Sequence, residues 1–191
     1  MPHVIFRPSL FLYFLLPVFG LCIGGLPTAW QFSVLGLSLF LNILLHEWGH
    51  WWVAKRYGGK YSYITLSATG GLTSYSGVFL TNRQLARVIM AGPAMNILLG
   101  CISLFLWGPS SIVAQVSFCL AFFNLLPMAN LDGGQLMTIF LGRYFDYPER
   151  VMRWVSVTTA MGVVAYLYFS FPSITALIGI YLVGYLILKS R

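Results

Sequence analysis

Charged residues are scarce in this chain of 191 residues, where they make up 8% of the sequence, against about 25% in an average soluble domain. Hydrophobic residues account for 59%, and the mean hydropathy is +0.82. This excludes a disordered chain and an ordinary soluble enzyme, because both need a polar surface. The net charge of +7 could indicate a nucleic-acid partner, but no basic run lies on a soluble face, so none is expected. The composition is typical of a polytopic membrane protein.

Six apolar stretches are each close to the length of about 20 residues that a membrane-spanning helix needs. They lie near residues 9–26, 30–54, 85–107, 110–126, 151–170 and 172–188. Short turns at 26–28, 108–110 and 171–173 separate three pairs of them, and longer connections cover 55–84 and 127–150. We therefore expect a single transmembrane domain over residues 1–191. Its predicted fold class is an all-α membrane protein with about six transmembrane helices.

The basic residues predict the orientation in the bilayer. With six crossings, the N-terminus, both long connections and the C-terminus share one side of the membrane. All eleven basic residues lie on that side: Arg7, Lys55, Arg56, Lys60, Arg83, Arg87, Arg143, Arg150, Arg153, Lys189 and Arg191. By the positive-inside rule, both termini are predicted to be cytoplasmic in a multi-pass protein of the cell membrane.

The connection after the second stretch has the pattern of β-strands. Residues 60–67 alternate and are rich in aromatic and β-branched side chains, Gly70-Gly71 interrupts them, and residues 72–79 resume the pattern. This predicts a small membrane-associated β segment near 60–79, with two strands about a glycine turn.

Groups able to do chemistry are few, since the chain has only four acidic residues and three histidines. Two of the histidines lie in the motif His46-Glu47-Trp48-Gly49-His50, which matches HExxH. On a helix this spacing puts both imidazoles on one face, where they can bind one metal ion, and Glu47 beside it can act as a base for bound water. Ionisable groups inside a membrane helix cost about 3 kcal/mol each, so a stray polar cluster is a poor alternative.

A catalytic zinc site needs a third protein ligand. We expect His3 to lie on an exposed N-terminal tail, which leaves Asp132 as the candidate. The second and fourth stretches both run toward the cytoplasm, so His50 and Asp132 are expected at the same depth. Asp132-Gly133 could equally be an ordinary turn or helix cap, and spacing alone does not decide between these.

The chain resembles the site-2 proteases, intramembrane zinc metalloproteases of the M50 peptidase class. The resemblance rests on HEWGH at 46–50, LDGG at 131–134, AGPAMN at 91–96 and NLLP at 124–127, in the family's order. The layout is most similar to the compact six-helix branch that includes the bacterial sporulation protease. We expect neither the family's PDZ domain nor its CBS domain, so control by nucleotides at a CBS domain is not carried over.

The resemblance implies one zinc ion per chain, held by His46, His50 and Asp132, and a water molecule activated by zinc and by Glu47 as base. It also implies that Asn124 supports the substrate carbonyl, although an interhelical hydrogen bond is an equal alternative. Asn96 has the same two interpretations, of which we favour the structural one, and Asn42 could support a ligand. The expected partners are a transmembrane protein substrate, the lipid bilayer and a regulatory membrane protein.

Two other functions fit the pattern less well. A zinc transporter needs ligand sites across the bilayer, and this sequence has no acidic residue or histidine on the outer half of any predicted helix. A catalytically inactive relative acting as an adaptor usually loses a ligand or the base, whereas His46, Glu47, His50 and Asp132 are all present. The sequence therefore favours regulated intramembrane proteolysis, with the active site near the cytoplasmic side.

Overall fold

A computed structural model of the chain describes residues 3–67, 70–76 and 79–170. The chain divides into two units, Met1–Phe122 and Phe123–Arg191. The first unit contains three strands and three helices: β1 His3–Phe6, α1 Phe11–Arg56, β2 Lys60–Ser67, β3 Gly70–Ser76, α2 Asn82–Trp107 and α3 Ile112–Asn124. A short 3-10 turn at Pro8–Leu10 precedes α1. The last two residues of α3 belong to the second unit. The second unit continues with α4 Asp132–Leu141 and α5 Pro148–Ser170.

The helical segment α1 covers the first two predicted stretches and is broken between them. Gly24 and Gly25 leave the helical conformation, and Gly25 has a φ of 72°, which glycine adopts without steric cost. The two halves of α1 fold back on each other, as shown by the rings of Phe19 and Phe32, whose centroids lie 5.8 Å apart. The turn is therefore at the two glycines, one or two residues before the predicted 26–28.

Six membrane-spanning helices are not confirmed. Three helical segments of the described residues are long and apolar enough to cross a membrane: Pro8–Arg56, Asn82–Trp107 and Pro148–Ser170. The fourth predicted stretch forms only the 13-residue α3, which is shorter than a span, and the sixth stretch, 172–188, lies outside the described residues. The helix α4 was not predicted, because Gly133-Gly134 in its first turn indicated a loop.

The β segment is confirmed, and it is larger than expected. β2 and β3 are antiparallel, and β1 adds a parallel strand on the other side of β2. The backbone of His3 pairs with Tyr63, so the N-terminal segment is a strand of the sheet, which the sequence did not predict. Gly70 and Gly71 do not form the turn, because they are the first residues of β3. β1 has four residues, too few for its alternation to be recognised.

The sheet packs on the C-terminal half of α1. Ile64 and Leu66 of β2 form a buried cluster with Leu10 and Trp51. These contacts hold the hairpin of β2 and β3 against the helix that carries the HExxH motif, so the sheet and the motif belong to one packed structure.

The helices expose large apolar side chains and bury small or polar ones, the reverse of a soluble protein. Phe105 is 89% exposed and Leu26 78%, whereas Ser38, Asn42 and Ser103 are fully buried. Helices in lipid associate through small and polar residues and turn their apolar side chains outward. This distribution fits a membrane protein.

Candidate metal centre

His46 and His50 form a close pair on α1, as the motif predicts. Their Nε2 atoms lie 3.1 Å apart, and the ring centroids are separated by 4.7 Å. Their spacing of four residues places both rings on one face of the helix. Each ring therefore directs one nitrogen to the same point, as two ligands of one metal ion must do.

The opposite nitrogen of each ring is held by α2. Nδ1 of His50 lies 2.8 Å from the carbonyl oxygen of Val88. A carbonyl only accepts hydrogen bonds, so Nδ1 of His50 carries the proton and its Nε2 has a lone pair for a metal. Nδ1 of His46 lies 3.3 Å from the side-chain amide of Asn96. Support of the outer ring nitrogen by a neighbouring group is typical of metal-binding histidines, and His50 already has the tautomer that can bind a metal ion.

A glycine of α2 makes room for the two rings. Gly92 is buried, and a Cβ atom at this position would lie less than 3.0 Å from atoms of both His46 and His50. Gly49, within the motif, is packed just as closely against the carbonyl of Ala91. The close approach of α1 and α2 thus depends on one glycine from each helix, and it places the AGP segment of α2 directly on the histidines.

Glu47 faces the sheet. It is 5% exposed, and the hydroxyl of Thr73 in β3 donates a hydrogen bond of 2.6 Å to its Oε2. Gly71, also in β3, lies so close that a Cβ there would overlap the Glu47 carboxyl group. A hydrogen bond to one carboxylate oxygen restricts the rotation of the side chain, so β3 sets where the carboxylate of Glu47 lies.

We expect Thr73→Val to lower the rate of the peptide hydrolysis predicted from the sequence by about tenfold, because valine keeps the shape of threonine but cannot hold the carboxylate of Glu47. Thr73→Ser keeps the hydroxyl and should retain most of the activity. The measurement is the cleavage rate of a membrane-inserted reporter by purified protein, with zinc content measured in parallel. Equal rates for the valine variant and the wild type would contradict a positioning role for Thr73.

Asp132 is the first residue of α4, in the second unit, and it is 7% exposed. The two glycines that follow it are packed against the backbone of the preceding loop. A Cβ at Gly133 would overlap the carbonyl of Leu125, and one at Gly134 would overlap that of Met128. The LDGG motif therefore allows α4 to begin in close contact with the NLLP segment, which fixes the backbone on which Asp132 stands.

The remaining asparagines have different surroundings. Asn124 is the last residue of α3 and is half-buried. Asn42 is fully buried, and its amide donates to the Ser38 carbonyl at 2.9 Å, so it caps a turn of its own helix rather than supporting a ligand. Asn96 contacts His46, which sequence reasoning did not foresee, although its place in the AGPAMN motif was a signal. The contact of Thr73 with Glu47 had no signal in the sequence.

Comparison with known proteins decides the family. The model of peptidase family M50 matches residues 34–112 and 106–169, which together are more than half of the chain. The chain belongs to peptidase family M50. This M50 chain also has the fold of a site-2 protease from Methanocaldococcus jannaschii, with a TM-score of 0.68 at 21% identity, over 98% of this chain and 90% of the other. The predicted family is confirmed.

Curated relatives of this M50 chain are named as zinc metalloproteases. Zinc metalloprotease MJ0392 of Methanocaldococcus jannaschii is 29% identical over 147 residues, which are 72% of this chain and 42% of the relative. The relative from Mycobacterium tuberculosis named "Putative zinc metalloprotease Rip3" is 34% identical over 137 residues, 63% of this chain and 35% of the relative. The chain thus spans less than half the length of these relatives.

Proposed function

We propose that this protein is an intramembrane zinc metalloprotease that hydrolyses peptide bonds in or near the transmembrane segments of membrane-bound substrates. The observation that carries this proposal is the pair of imidazoles on α1 with the buried carboxylate of Glu47 next to it. The helix that holds all three is a candidate membrane span. Membership of family M50 and the zinc metalloproteases among the relatives support the same conclusion.

Zinc is the proposed metal, with His46, His50 and Asp132 as its ligands. Two imidazoles and one carboxylate are a common ligand set of catalytic zinc, and they leave one position open. When bound, zinc supplies a Lewis acid that lowers the pKa of a coordinated water toward about 7 and polarises a carbonyl.

The other proposed roles in catalysis belong to side chains of this chain. Glu47 accepts a proton from the attacking water and transfers it to the leaving nitrogen, with Thr73 holding its other carboxylate oxygen. Asn124 is proposed to donate its amide to the substrate carbonyl as negative charge develops there. His50 keeps its Nδ1 proton on the carbonyl of Val88, which fixes the orientation of its ring.

The substrate must be extended at the point of cleavage, because the carbonyls of a helix are occupied by its own hydrogen bonds. β3 is the last strand in the order β1-β2-β3, and its Thr73 contacts the proposed base. An unwound substrate segment that paired with the outer edge of β3 would therefore lie beside Glu47. We propose that preferred substrates carry helix-breaking residues near the cytoplasmic end of their transmembrane segment.

The proposed setting is the cell membrane, with several crossings, both termini in the cytoplasm and the active site near that side. The positions of the eleven basic residues support this orientation. Cleavage there would release a cytoplasmic regulator, and a regulatory membrane protein would control access to the site.

The test uses protein reconstituted in vesicles with single-span reporters, matched in pairs. One member of each pair has Gly-Pro near the cytoplasmic end of its span, and the other has Leu-Leu. We expect the Leu-Leu reporter to be cleaved at least tenfold more slowly, because a helix interior is destabilised by about 1 kcal/mol by Gly and about 3 kcal/mol by Pro. Equal rates would contradict the need for unwinding, and intact reporters with folded, zinc-loaded protein would refute the protease function.

A further inference from the structure

Asn96 of α2 is a buried amide whose hydrogen bonds are incomplete in its present orientation. The side chain is 1% exposed, and its Nδ2 lies 3.3 Å from Nδ1 of His46. Its Oδ1 has no hydrogen-bond partner among the residues that the structure describes. A buried amide oxygen without a partner is costly, so this orientation of the amide calls for a physical reason.

The orientation of the amide is linked to the proton on His46. An amide nitrogen only donates, so Nδ1 of His46 accepts from Asn96, and the neutral ring then carries its proton on Nε2. That proton points at Nε2 of His50, 3.1 Å away, which accepts because His50 holds its own proton on the Val88 side. The hydrogen bonds form one consistent chain, in which Nε2 of His46 cannot bind a metal.

Rotating the Asn96 amide by 180° moves the proton of His46 from Nε2 to Nδ1. Oδ1 then faces Nδ1 of His46 and accepts a hydrogen bond from it, so the proton lies on Nδ1. The lone pair of Nε2 becomes available on the side that faces His50. Nitrogen and oxygen have nearly the same size, so the rotation needs no change in packing.

We propose that Asn96 is a positioning residue that selects the metal-binding tautomer of His46 by offering its amide oxygen to the Nδ1 proton. The inference rests on the proposed zinc site and adds a residue to it. His46 depends on a side chain that can rotate, whereas His50 is fixed by a backbone carbonyl that cannot. Substitution of Asn96 should therefore change metal affinity without removing a ligand.

The experiment measures zinc affinity of the full chain in detergent by competition with a chromophoric chelator. Asn96→Leu has a similar volume and no acceptor, and we expect it to bind zinc about 10–100-fold more weakly. Asn96→Asp always presents an acceptor, so its affinity should equal or exceed that of the wild type. A purely structural role predicts the opposite order, because a buried carboxylate disrupts packing more than leucine does.

Asn42→Leu is the matched control, because Asn42 is an equally buried asparagine whose side chain, among the described residues, hydrogen-bonds the Ser38 carbonyl and no ligand histidine. It should lower thermal stability and leave zinc affinity unchanged. Wild-type affinity in Asn96→Leu, or weaker binding in Asn96→Asp than in Asn96→Leu, would overturn the inference while the zinc site stands. If Asn96→Leu does not fold, a tenfold loss of affinity in Asn96→Asp overturns it. A folded wild type that binds no zinc refutes the proposed function itself.

Discussion

Glu47→Gln is expected to reduce peptide hydrolysis by about 10²–10⁴-fold while the protein keeps about one zinc ion per chain. Glutamine has the size of glutamate and can still interact with Thr73, so the packing against β3 is preserved. It cannot accept a proton from water, and this is the step assigned to Glu47. Metal content by elemental analysis and the cleavage rate of a vesicle-inserted reporter are measured on the same preparation.

Substitutions of the proposed zinc ligands are expected to behave differently from Glu47→Gln. His46→Ala and Asp132→Ala should lose zinc and hydrolysis together, because two remaining ligands do not hold the ion. Loss of zinc in Glu47→Gln would mean that the glutamate is a ligand and not the base. Zinc retained in Asp132→Ala would show that the third ligand is another residue, and the case built on the LDGG motif would fail.

The parts of the molecule that follow from local sequence were predictable. His46 and His50 are four residues apart on a long apolar helix, and helical geometry alone brings their rings together. The alternation of residues 60–67 is equally local, and it predicted a strand with the same first and last residues as β2. The family followed from the order of several motifs, none of which is specific by itself.

The parts that depend on tertiary contacts were not predictable. Nothing near Thr73 marks it as a partner of a residue 26 positions earlier in the chain, and β1 exists only because β2 offers it an edge. The break in α1 was placed at Pro27, but the backbone turns at Gly24 and Gly25, because only glycine tolerates the φ of 72° found there.

Gly92→Ala is expected to weaken zinc binding and slow hydrolysis by about 100-fold, since a displacement of about 1 Å costs this much in an aligned site. The added Cβ would lie less than 3.0 Å from both imidazoles, so the rings or the two helices must move. His50 would be pushed from the Val88 carbonyl and His46 from Asn96, so both tautomers would lose their support. Zinc affinity, reporter cleavage and thermal stability of the variant are compared with those of the wild type.

Gly162→Ala makes the same chemical change in α5, where the new Cβ would have no neighbour within 4 Å among the described residues outside its own helical turns. Alanine is favoured over glycine in a helix by about 1 kcal/mol, so this variant should be slightly more stable and fully active. Gly92→Ala gains the same helix propensity, but overpacking costs about 1–3 kcal/mol, so the net effect on stability should be unfavourable. Both variants behaving like the wild type would mean that α2 can move away from α1 freely. The histidine pair would then not be held by the close packing of the two helices, and the role of the AGP segment as the support of both rings would have to be abandoned.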